Sequence, residues 1–133
     1  MSQFVATIKK INNVDNLNIV EFDFFGLTLK MMSLDLNNDV QVGKKAKLVV
    51  KSSNISIAKN LSGQISLSNQ LVATIKSLEN GQLLTIVGLE INGVILESII
   101  TVDSSKRMNL QIGEVVTILI KASNLSIQEV LND

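Results

Sequence analysis

The sequence predicts an all-β protein of two tandem small five-stranded barrels, Greek-key in connection and OB-like in size. Three observations predict it. The chain contains its own copy, each copy breaks into short runs of alternating apolar and polar residues, and glycines stand where hairpins must turn. With 46% hydrophobic and 18% charged residues, 133 residues suffice to bury a core.

The repeat is direct. Gln3-Phe4-Val5-Ala6-Thr7-Ile8-Lys9 recurs as Gln70-Leu71-Val72-Ala73-Thr74-Ile75-Lys76, an offset of 67. Ile19-Val20, Gly26 and Leu29 keep that offset in Ile86-Val87, Gly93 and Leu96. Further on the offset is 70, where Lys51-Ser52-Ser53-Asn54-Ile55-Ser56-Ile57 meets Lys121-Ala122-Ser123-Asn124-Leu125-Ser126-Ile127. The copies are therefore expected as domains 1–60 and 61–133, with three extra residues in the second between Leu96 and Asn109.

The elements follow in order. Val5 to Ile11 and Ile19 to Phe24 alternate as half-buried strands do. Gly26 and Gly93 mark hairpin turns, Asn92-Gly93 being the stronger signal. Phe22, Phe24 and Phe25 are too many rings for one strand face to hide, so they should fill the core and an interface. Met31-Met32 reads as core packing. Ser104 to Met108 is the best helical turn, with Asp103 or Ser104 as its cap. Val115 to Ile120 is apolar enough for burial on both faces.

Composition removes most chemistry. There is no Cys and no His, which excludes disulfides, thiol nucleophiles, Ser-His-Asp catalysis and most zinc sites. Net charge is zero and Trp and Tyr are absent, against a nucleic-acid partner. No signal peptide precedes the first strand and no apolar run approaches a membrane span, so a cytoplasmic, membrane-free protein is expected. Charge divides unequally: residues 1–60 carry eight Lys against five acids, and residues 61–133 carry four Lys+Arg against seven. A binding module fits this inventory better than an enzyme.

The donors that could bind something lie at Thr101-Val102-Asp103-Ser104 and at Ile120-Lys121-Ala122-Ser123. Two hydroxyls three residues apart beside a capped turn, exposed amides and one ammonium form a donor set for an oxyanion. A free metal cation would need clustered carboxylates instead. Taken singly, Thr101 and Ser104 would cap a turn, and Lys121 would be a solvated charge.

Together with Ile65-Ser66-Leu67-Ser68-Asn69-Gln70-Leu71 and Leu110-Gln111-Ile112-Gly113, these segments resemble the Mop (TOBE) domain. Two copies in one chain resemble the di-Mop molbindins, intracellular carriers or stores of molybdate and tungstate. That resemblance implies oxyanion contacts at Ser66, Ser68, Thr101, Ser104, Lys121, Ala122 and Ser123. The family often has Arg where this chain has Ser68, so one positive charge is missing. The first copy lacks the Thr-x-x-Ser pair, with Met31-Met32-Ser33-Leu34-Asp35 there instead. It should offer only a weaker half site at Lys51, Ser52 and Ser53, so Lys121 should outweigh Lys51. The resemblance also implies a homotrimer, since single-Mop relatives assemble as hexamers. The competing reading is the ligand-sensing module of a molybdate-responsive transcription factor or transporter ATPase.

Overall fold

The structure, a computed structural model, describes residues 1–132; Asp133, last residue of the expected second domain, lies outside the described residues. The first copy forms β1 (Ser2–Val14), β2 (Leu17–Phe24), β3 (Leu27–Ser33), β4 (Lys45–Val50) and short β5 (Ser56–Ala58). The second forms β6 (Asn69–Asn80), β7 (Leu84–Ile91), β8 (Val94–Thr101), β9 (Val115–Ile120) and β10 (Ser126–Val130). Helix α1 (Val102–Arg107) follows β8, and 3-10 turns at Ser52–Asn54 and Ala122–Asn124 lead into β5 and β10.

Period-two patterning became strands. Phe4, Ala6 and Ile8 in β1, and Val20, Phe22 and Phe24 in β2, all turn inward. Both hairpins turn on a residue pair with positive φ: Phe25-Gly26 at 51° and 83°, Asn92-Gly93 at 50° and 84°. Two successive left-handed residues make the turn whose twist matches a hairpin, and glycine adopts the second without strain. The phenylalanines divide as their number required. Phe24 meets Phe4 at 5.0 Å inside, while exposed Phe25 rests edge-on against Phe24 at 4.9 Å. Met31 is core but Met32 is exposed, because neighbours on a strand face opposite ways. One expectation fails in part: β9 leaves Val115 exposed, one face of its entry end meeting solvent, and is continuously buried only over Ile118–Ile120.

The strands assemble into two five-stranded sheets, ordered β10-β4-β1-β2-β3 and β5-β9-β6-β7-β8. Each sheet takes four strands from one copy and its edge strand from the other. Antiparallel pairing sets Ile127 of β10 opposite Leu48 of β4, and Ile57 of β5 opposite Ile118 of β9. The boundary between residues 60 and 61 is thus one of sequence, and both sheets cross it.

Reciprocal hydrogen bonds fasten the exchange. The buried Asn69 side chain accepts from the Lys30 amide (2.7 Å) and donates to the Lys30 carbonyl (3.0 Å). Its repeat counterpart, Ser2, likewise accepts from the Glu97 amide (2.8 Å) and donates to the Glu97 carbonyl (3.1 Å). Buried Ser98 donates to the Ile55 carbonyl at 2.5 Å. Ile8, Phe22, Leu48, Ile75, Leu89 and Ile118 share one continuous core spanning both copies. Burying each such side chain stabilises by about 1.5–3 kcal/mol, which makes the two copies mutually dependent.

Candidate functional site

The three extra residues of the second copy lengthen the link after β8, which winds into the six-residue α1. Its N-cap is Thr101, not Asp103 or Ser104: Thr101 is extended and its Oγ1 accepts from the Ser104 amide at 3.1 Å. Helical structure therefore starts at Val102, and β8 runs straight into the cap. Asn109, at φ 50°, closes the far end, where the Met108 amide returns to the Ser104 carbonyl at 3.0 Å.

Capping brings the two hydroxyls together. Thr101 Oγ1 donates to Ser104 Oγ at 3.0 Å, and the Arg107 guanidinium donates to the same oxygen at 3.2 Å. Thr101 and Arg107 are exposed and Ser104 is half-buried, so the group faces solvent. Arg107 is absent from the sequence-derived set. It lies in the segment where the two copies differ in length, so repeat comparison pairs it with no definite residue. Of the amides at the start of the turn, that of Ser104 is spent on the cap.

The other expected residues divide between the copies. The turn at Ser52–Asn54, which follows Lys51, packs against β8, the strand ending at Thr101. The turn at Ala122–Asn124, which follows Lys121, packs instead against β3 of the first copy. The strand exchange thus carries Lys51 and Ser53 toward the Thr101 strand and Lys121 and Ser123 away to Met31–Ser33. Ser52 is buried; Lys51, Ser53, Lys121 and Ser123 are exposed, and Ala122 is half-buried. Ser66 lines a shallow pocket with Gly63, Gln64, Ile65 and Gln70, and Ser68 is exposed just before β6.

Residues 65–127 match the TOBE domain. The matched stretch holds Ser66, Thr101, Ser104, Arg107 and Lys121 but not Lys51. In overall structure the chain is similar to the cytoplasmic molybdate-binding protein ModG, solved with molybdate bound. The TM-score is 0.87 at 23% identity, over 94% of this chain and 93% of that one. The likeness establishes a two-unit, OB-like Mop fold. No curated protein matches the chain in sequence.

Around α1, one lysine of the first copy serves as a clamp. Lys59 donates to the Met108 and Asn109 carbonyls at 2.9 and 3.2 Å and pairs with Glu114 at 2.8 Å. A cation beside the last carbonyls of a helix satisfies groups that lack partners within it. The Lys59 hydrogen bond, followed by that from the Gln111 amide (2.8 Å), holds the Glu114 carboxyl below its ordinary value.

The corresponding place in the first copy is open. A cleft of about 500 Å³ lies between residues 31–40 and 123–130, and Ser123 lines it beside Ser33. Its charged lining is Asp35, Asp39 and Glu129, with no Lys or Arg. Glu129 stands at the repeat position of Lys59 and pairs with Lys47 at 3.3 Å. Such a lining opposes an anion. Among the described residues no three carboxylates come close enough to hold a metal ion, and no helix is long and apolar enough to cross a membrane.

Proposed function

We propose that the protein is a non-enzymatic binder of tetrahedral metal oxyanions, molybdate and tungstate, that stores, buffers or delivers them in the cytoplasm. The observation that carries this reading is the solvent-facing hydroxyl pair Thr101–Ser104, 3.0 Å apart and backed by a guanidinium. It lies within the TOBE match, on a fold shared with a molybdate-bound protein. Without His or Cys neither a thiol nucleophile nor a Ser-His-Asp triad can be assembled, which favours binding over catalysis.

The anion is held mainly by the Ser104 hydroxyl, which Thr101 orients, with Lys51 and Ser53 brought by the exchanged turn and Ser66 and Ser68 at the margin. Lys121, Ala122 and Ser123 form the lesser, pseudo-equivalent place, where Asp35 opposes a dianion. Hydrogen bonds to a charged group contribute roughly 1.5–3 kcal/mol each. Four or five together give roughly 6–15 kcal/mol, a range that spans the roughly 8 kcal/mol of a micromolar site and at its upper end leaves a margin for desolvating the anion. Sulfate, with shorter bonds to oxygen, spans the donors poorly; tungstate is close to molybdate in size.

Assembly as a homotrimer belongs to the same reading. Exposed Val72, Leu83, Leu84 and Ile95 supply apolar surface for partner copies, and closed cyclic symmetry hides such surface without growing fibres. Calorimetric titration with molybdate, tungstate and sulfate tests the function. Binding of the first two with a raised melting temperature is expected; no heat and no thermal protection from either rejects it.

A further inference from the structure

We propose that Arg107 supplies the cationic anchor of this oxyanion site, a deepening that rests on the function proposed above. Arg107 is the only arginine in the chain, and its guanidinium is aimed at the site rather than at a carboxylate. Among the described residues it forms no ion pair, even with Asp103 four positions earlier.

The order of protons sharpens the assignment. Ser104 Oγ accepts from both Thr101 and Arg107, so both its lone pairs are engaged. Its own proton is then left to point outward. Thr101 Oγ1 in turn accepts from the Ser104 amide, which fixes the pair in this orientation. The outward face therefore presents a polarised Ser104 O–H and the remaining guanidinium N–H groups: donors only, with positive charge. A planar guanidinium can donate two parallel hydrogen bonds to two oxygens of one tetrahedral anion, which an ammonium cannot. Ser68 brings no charge, and Lys106, though adjacent, makes no side-chain bond to the hydroxyl pair. Arg107 thus binds the dianion directly and orients Ser104 toward it.

The test titrates molybdate into the parent chain and into Arg107→Gln, Arg107→Lys and Lys106→Gln by calorimetry at two salt concentrations. Arg107→Gln should weaken binding by about tenfold or more, the scale of one charge-assisted hydrogen bond, and flatten the salt dependence. Arg107→Lys should recover part of the loss, and Lys106→Gln should stay within about twofold. Melting temperatures without anion should hardly differ, since exposed Arg107 packs in no core. A parent that binds while Arg107→Gln binds within twofold of it overturns the assignment and leaves the function standing. A parent that takes up no molybdate overturns both.

Discussion

The two copies are near-replicas through three strands and part company at the end of the third. After β8, three additional residues let the chain wind into α1, capped by Thr101 and clamped by Lys59. After β3, the shorter segment 34–40 has no helix, and an acidic cleft of about 500 Å³ remains. Duplication set down two equal frames. A difference of three residues, with Lys59 in one copy where the other has Glu129, gives one frame a capped helix with a hydroxyl pair and a guanidinium and leaves the other a cleft lined by carboxylates. Chemistry here is decided at the ends of strands, where the sheet places no demand on the side chain.

That contrast can be broken at its strongest point. Thr101→Val with Ser104→Ala removes the Ser104 donor and the oxygen that holds Arg107 in place, and molybdate affinity measured by calorimetry should fall by about a hundredfold, the scale of two charge-assisted bonds. The same pair should cost about 1 kcal/mol of stability through the lost cap, read from denaturant unfolding. The two lysines give the next largest effect. Lys51→Ala should weaken the anion by about tenfold and Lys121→Ala by much less, reversing the ranking that copy-by-copy reading implies. Equal losses would mean that the exchanged turns do not divide the site as proposed.

Smaller effects sharpen the comparison. The depressed Glu114 carboxyl adds stability that is present above the ordinary carboxylate range and lost as pH falls through its lowered folded value. Lys59→Met should therefore lower the melting temperature slightly at neutral pH and reduce its fall on acidification, followed by thermal melts across pH. A steeper fall in the variant would show that Lys59 is not the cause. Smallest is Phe25→Asn, which places in the first hairpin the residue of the second. Relief of a left-handed aromatic residue, about 1 kcal/mol, nearly offsets the lost edge contact with Phe24. Unfolding free energy should move by less than about 1 kcal/mol.

The repeat, the strands and both hairpins were legible because period-two burial and turn glycines are local signals. The strand exchange was not. Ser56-Ile57 and Ser126-Ile127 are the same pair of residues, so either edge strand suits either sheet, and no local pattern says which it joins. The grouping of Lys121 with Thr101 followed from the family resemblance; within one chain the turn after Lys121 packs on β3 and the turn after Lys51 on β8. Thr101 looked like the last residue of a strand and is also the first of a cap, so the helix was read as beginning too late. Arg107 was missed because it lies where the copies differ in length and their residues cannot be paired one to one.

The exchanged edges also set the order in which the molecule can form. The sheet that begins at Ser2 is completed only by Ser126–Val130, pairing with residues 46–49 across most of the chain length. A nascent chain emerging from the ribosome holds four of those strands long before the fifth exists. The β4 edge, with Leu48 and Val50 on its inner face, then stands unpaired while the second copy is made. Pairing over such separations is slow, because a long loop must close before the contact rewards it. Two chains made side by side at high concentration can lend each other the missing strand and arrive at an entangled dimer with every native pairing satisfied.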